Sequence, residues 1–119
     1  MEKHYAVIGD PIEHSLSPWM HNAGYKALGI DAVYERFRVE PSHLGEAVEG
    51  LCALGFSGWN VTLPHKSTII PFLDTLTPEA IRAGAVNTVK LQEGQLIGHN
   101  TDGDGFIRSM EGEINGFKG

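Results

Sequence analysis

The 119-residue chain has a single cysteine, Cys52, so no disulfide closes within it and nothing marks an oxidising compartment. Basic residues are scarce: Lys and Arg number 9 against 15 Asp and Glu, a formal charge of −6. That balance argues against non-specific nucleic-acid binding, which needs a basic face. No window approaches the roughly 18 apolar residues of a membrane span. The apolar run near the start stops at Gly9 and Asp10, too short for the core of a secretory signal. A cytoplasmic protein with no membrane or nucleic-acid partner is expected. The six histidines are dispersed, with no pair at zinc spacing on an expected helix, so no metal site is expected from them. A dinucleotide fingerprint is missing too: no G-x-G-x-x-G occurs in the chain.

The 41% of hydrophobic residues is enough for one core and one domain, and strands alternate with helical patterns. "HYAVIG" reads as a strand. Ser17 and Pro18 supply an N-cap and a first-turn proline for a helix whose Met20, Ala23, Ala27 and Leu28 recur at helical spacing up to Gly29. "AVYERFRV" alternates Val33, Glu35, Phe37 and Val39 against Tyr34, Arg36 and Arg38, as a second strand does. Ser42 is the expected cap of a helix with Leu44, Val48 and Leu51 on one stripe. "FSGWNV" is a third strand, followed by a short helix from about Pro64 that Pro71 must break. Thr77 and Pro78 start a further brief helix, and "AVNTVKL" and "QLIGHN" flank "QEG" as a hairpin. "GFIRSM" is a last helical stretch. The order implies an α/β fold: an open, mostly parallel mixed sheet with helices on both faces and an antiparallel hairpin.

Polar clusters fall where strands end, which is where ligands collect in open α/β sheets. Ser15 and Ser17 stand just before a helix N-terminus, a place that suits an anion such as a carboxylate; the plainer reading is a cap and a loop residue. "NVTLPHK" puts Thr62 and Lys66 after the third strand. A lysine in the first turn of a helix opposes the helix dipole unless something negative compensates, and Asp102 in "NTDGDG" is the candidate. Together they could hold a hydroxyl or carbonyl between an ammonium and a carboxylate, as proton transfer in carbonyl reduction requires; alternatively they are two unrelated surface charges. "NTDGDGFIRSME" also approaches a calcium loop through Asn100, Asp102, Asp104, Gly105, Ile107 and Glu111. Against calcium stand the strand-like segment before it and Arg108 at a ligand position. Trp19, Trp59 and Cys52 read as packing residues.

In order along the chain, "SLSPWMHNAG", "NVTLPHK", "GAVNTV" and "GHNTDGDGF" closely resemble the N-terminal substrate-binding domain of the shikimate dehydrogenase family. The resemblance spans essentially the whole chain. It implies a shikimate-binding domain over residues 1–119, with about 1–102 as its core and 103–119 as the start of a connection to a missing NADP-binding Rossmann domain. Shikimate or 3-dehydroshikimate is then the partner, 3-dehydroshikimate being reduced reversibly to shikimate with NADPH in aromatic amino acid biosynthesis. Ser15 and Ser17 match the hydroxyls that hold the substrate carboxylate. Thr62, Lys66, Asn87 and Asp102 match the groups around the ring hydroxyls, with Asn60 supporting them, and Lys66 and Asp102 match the catalytic pair. NADP(H) belongs to the intact parent; this chain alone is expected to bind no cofactor and to be inactive. A quinate-using relative and a non-catalytic module that binds an acidic metabolite are the alternatives.

Overall fold

A computed structural model describes residues 2–13, 15 and 17–101. Its elements are β1 (Lys3–Gly9), α1 (Ser17–Leu28), β2 (Ala32–Arg38), α2 (Leu44–Ala53), β3 (Gly58–Val61), β4 (Thr75–Leu76), α3 (Pro78–Ala83), β5 (Thr88–Gln92) and β6 (Gln95–His99). The strands form one sheet in the order β2-β1-β3-β5-β6-β4. β1 pairs in parallel with β2 and β3, and β4 with β6, while β5 runs antiparallel to both of its neighbours. Five strands therefore point one way and β5 alone points back, which is the mostly parallel mixed sheet that the sequence implies.

The two early crossovers step in opposite directions from the central strand β1, from β1 out to β2 and from β2 back to β3. Parallel crossovers are right-handed as a rule, so opposite steps place their helices on opposite faces. The alternation along β1 follows. Tyr5 and Val7 join Ile12, Tyr25 and Tyr34 on the α1 side, whereas Ala6 and Ile8 join Leu44, Val48, Leu51, Trp59, Ile69 and Val89 on the α2 side. The hairpin also forms as expected: Gln92 pairs with Gln95, and Glu93 and Gly94 both have positive φ, 51° and 78°, the pair of left-handed residues that a two-residue turn between right-twisting strands needs.

Several local expectations are corrected. The aliphatic stripe predicted for α1 faces outward: Met20 is 59% and Leu28 56% exposed, and Ala23 and Ala27 are exposed as well. The inward face is Tyr25 with half-buried His21 and Asn22. Asn22 donates to Tyr34 O and accepts from Tyr34 N–H, each at 2.8 Å, so its amide pairs with the edge strand β2 where a further strand would otherwise dock. On β2 the buried residue is accordingly Tyr34. Ser17 is the first residue of α1 rather than its cap. Ser42 does not cap α2; it lies inside a 3-10 turn, Pro41–His43, and the N-cap position His43 makes no side-chain cap bond. The proline begins that turn and draws Ser42 into it.

No α-helix starts at Pro64. The Leu63–Pro64 bond is cis, His65 N–H donates to Thr62 O at 3.1 Å, and a single α-type bond follows, Ile69 N–H to His65 O at 3.0 Å. A 3-10 turn, Ile70–Phe72, then includes Pro71. β4 was not legible, because two residues are too few to show alternation. The expected helix "GFIRSM" and the connection over 103–119 lie outside the described residues.

Candidate functional site

β1 and β3 are neighbours, and the chain leaves them toward opposite faces: β1 leads to α1, and β3 leads to Ile69 in the core on the α2 side. Adjacent strands whose exits diverge leave a crevice at their carboxyl ends. Here the two ends nearly touch. A Cβ added to Gly9 would lie 2.3 Å from the Thr62 methyl carbon, so the residue ending β1 must be glycine for Thr62 to hold its place. The β5 start and the β6 end arrive at the same edge, since β5 runs opposite to β3 and β6.

On the β1 side, the half-buried Ser15 and Ser17 are joined: Ser17 N–H donates to Ser15 Oγ at 3.3 Å. Ser15 N–H donates to Ile12 O at 3.0 Å. Arg36, reaching over from β2, donates through Nη1 to Glu13 O at 2.6 Å and to Ser15 O at 3.3 Å. Two hydroxyls, the first turn of a helix and a guanidinium thus share one loop, a set of donors suited to an anion.

On the β3 side, Asp10 N–H donates to Leu63 O at 3.1 Å, and the Thr62–Lys66 turn is pinned at three further points. Thr62 N–H donates to Ile8 O at 3.0 Å, and Val86 N–H donates to Lys66 O at 2.7 Å. The fully buried His65 makes the third, its Nε2 donating to Val39 O at 2.6 Å; a carbonyl only accepts, so Nε2 carries the proton. Because Lys66 lies in this turn and not in the first turn of an α-helix, the dipole argument for a negative partner falls away. Its expected partner Asp102 lies outside the described residues, as do Asp104 to Glu111 of the calcium-loop reading. Asn100 donates its amide to Ala85 O at 3.0 Å. Among the described residues, no group of three or more His, Cys, Asp or Glu side chains could hold a metal ion.

Asn60 and Asn87 are brought together by the β3–β5 register, Asn60 opposite Thr88. Tyr34 Oη donates to Asn60 Oδ1 at 2.5 Å, and Asn60 Nδ2 donates to Thr88 Oγ1 at 3.1 Å and to Asn87 O at 3.3 Å. Thr88 Oγ1 donates to Asn87 Oδ1 at 3.1 Å, and Asn87 Nδ2 donates to Thr101 Oγ1 at 3.0 Å. His21 stacks on the Tyr34 ring with centroids 4.0 Å apart and planes 9° from parallel. Burial disfavours the charged imidazole and pulls the His21 pKa down to about 4. His99, opposite Thr88 on β6, is lowered by burial first and then by Lys90, with Glu79 opposing. Tyr34, Arg36 and Thr101 are not singled out by the sequence, and Thr88, beside Asn87 in "GAVNT", reads there as a turn or solvated-edge residue. Thr88 and Thr101 adjoin residues that are singled out, but Tyr34 and Arg36 give no signal beyond strand alternation.

The geometry meets its relatives here. The family model for the shikimate dehydrogenase substrate binding domain matches residues 7–89. The chain belongs to that family. It is 72% identical over 111 residues to the NADP(+) shikimate dehydrogenase of Desulfitobacterium hafniense (strain Y51), covering 93% of this chain and 41% of that protein. The shikimate 5-dehydrogenase of Listeria monocytogenes, solved in complex with shikimate and NAD, superimposes with a TM-score of 0.85 at 44% identity, over 92% of this chain and 38% of that one. A ligand-free 5-ketofructose reductase of Gluconobacter sp. strain CHM43 gives 0.86 at 39% identity, over 93% and 40%. The chain thus spans about two fifths of the length of the curated relatives it matches. Among the described residues, no helix is long and apolar enough to cross a membrane.

Proposed function

We propose that this chain is the shikimate-holding part of an NADP-dependent shikimate dehydrogenase, which interconverts 3-dehydroshikimate and shikimate. What supports the reading is the arrival of Ser15, Ser17, Asn60, Thr62, Lys66 and Asn87 at one sheet edge in a chain of this family. The Ser15–Ser17 loop would take the substrate carboxylate. The Thr62, Asn87 and Asn60 groups would orient the ring hydroxyls. Lys66 would give the proton that the 3-carbonyl oxygen gains on reduction and take it back in the reverse direction, with Asp102 orienting and balancing it.

The residues present do not fit a nicotinamide dinucleotide. A loop that holds a dinucleotide needs glycines so that its backbone can approach the pyrophosphate, whereas the passage from Gly9 to Ser17 holds Pro11 and no further glycine. NADP(H) is therefore assigned to a domain of the longer polypeptide, and the chain alone would neither bind it nor turn substrate over.

The test is calorimetry on this chain together with turnover by the longer polypeptide. Saturable binding of shikimate by the chain, no uptake of NADPH by it, and NADPH-dependent reduction of 3-dehydroshikimate by the polypeptide are the expected results. Faster turnover of quinate than of shikimate would move the assignment to the quinate-using relatives. Binding of a neutral keto sugar such as 5-ketofructose in preference to either acid would overturn the carboxylate role of Ser15 and Ser17. Shikimate binding with no dehydrogenase activity in the polypeptide would leave a metabolite-binding module.

A further inference from the structure

Tyr34 stands on the edge strand β2, with β1 between it and the strand that carries Asn60, yet its hydroxyl reaches the Asn60 side chain. The residue is only 1% exposed, so it meets no ligand itself. We propose that Tyr34 is a positioning residue for the ring-hydroxyl end of the site: it holds the Asn60 carboxamide oxygen in place and takes its own place from α1, so that the helix beginning at Ser17 also aims Asn60. The proposal rests on the functional reading above and adds to it the residue that joins the two ends of the site.

The near end of Tyr34 is set by the helix. Asn22 of α1 pairs with the Tyr34 main chain through both N–H and O, each at 2.8 Å, and His21 of the same helix stacks on the ring with centroids 4.0 Å apart. The ring belongs to the buried cluster of Tyr5, Val7, Ile12 and Tyr25, which lies over β1 and lets one long side chain bridge β2 and β3. At the far end the direction of the bond is fixed. The main-chain oxygen of Asn87 can only accept, so the Asn60 atom 3.3 Å from it is Nδ2. The atom 2.5 Å from Tyr34 Oη is then Oδ1, a length that suits O–H···O and is short for N–H···O. The Nδ2 bonds to Asn87 O and Thr88 Oγ1 decide which end of the amide is which, and would do so without Tyr34. On their own they would let Oδ1 swing about the nitrogen. Among the described residues, Tyr34 is the donor that stops it. A carboxamide anchored at both ends presents one fixed edge to a ligand, and anchored at one end it presents a range.

Tyr34→Phe keeps the ring, its packing and its stack on His21, and removes the hydroxyl alone. Shikimate affinity of this chain should fall roughly three- to tenfold in Tyr34→Phe, the range for one lost hydrogen bond. Cyclohexenecarboxylate, the same acid on the same ring without hydroxyls, should bind the variant and the unsubstituted chain equally. A loss shared by both ligands, or by neither, would overturn the proposal and leave Tyr34 a packing residue. Once Asn60 is replaced by alanine, Tyr34→Phe should cost little more, because the hydroxyl acts through that amide; full additivity would overturn the proposal too. Should Tyr34→Phe fail to fold, the unsubstituted chain still decides. Its Tyr34 hydroxyl proton should exchange slowly enough to be observed and should show a nuclear Overhauser contact to the Asn60 side chain, and the lack of that contact overturns the proposal. If shikimate does not bind the unsubstituted chain at all, the functional reading fails, while the same contact still reports whether Tyr34 holds Asn60.

Discussion

Around Asn87, four side chains from β2, β3, β5 and just beyond β6 share one continuous run of hydrogen bonds, part-buried along its length. Around Ser15, by contrast, the contacts among the described residues are a backbone bond to Ile12, the Ser15–Ser17 contact and an exposed arginine. The first arrangement is built to hold polar groups at fixed angles, because buried networks that are satisfied at every member rigidify. The second supplies charge and hydroxyls from a surface that can adjust. The proposed ligand, with a carboxylate at one end and stereochemically defined hydroxyls at the other, would use both, and both lie at the end of the sheet where β1 and β3 finish.

The comparison breaks most sharply at the turn between the two. Lys66→Ala in the longer polypeptide should lower turnover by roughly 10²–10⁴ with a smaller change in KM, the signature of a group that acts in the transition state. Near-normal turnover would remove Lys66 from the chemistry. A smaller effect is expected on the exposed side. Arg36→Ala should weaken shikimate binding by about three- to tenfold, as expected for a single charge-assisted contact near the surface, and should leave binding of the neutral methyl ester unchanged. Equal losses for acid and ester would mean that Arg36 shapes the loop without favouring the anion.

The smallest effect concerns pH. His21 has an ordinary pKa of 6.5 when unfolded and about 4 when folded, so between those values the unfolded chain binds more protons. Its contribution to stability is complete above about pH 6.5 and is lost as pH falls toward 4. Burial depresses the His99 pKa in the same sense. Chemical denaturation at a series of pH values should therefore show declining stability below about pH 6.5, with a shallower decline in His21→Phe, which retains the stack on Tyr34. An unchanged slope would assign the acid sensitivity elsewhere.

The strand ends and their polar clusters were legible because they rest on local signals: a run that ends in glycine, a proline turn, a hydroxyl beside an amide. The α1 face was not. Hydropathy ranks Met20 and Leu28 above His21 and Asn22, yet the helix meets an edge strand whose backbone needs a polar partner, and Asn22 supplies it. The Tyr34–Asn60 and Asn60–Thr88 bonds join residues 26 and 28 positions apart. No spacing rule relates such residues until the order β2-β1-β3-β5 is known. Lys66 lies in the turn that follows β3, so the helix-dipole reason for giving it a negative partner is removed.

The central claim is that the serine loop and the asparagine network hold a single molecule between them. Amide and side-chain resonances of the chain, followed during titration with shikimate, test it directly. Ser15, Ser17, Thr62 and Asn87 should shift together with one common dissociation constant; movement confined to either end, or none at any of the four, would contradict it.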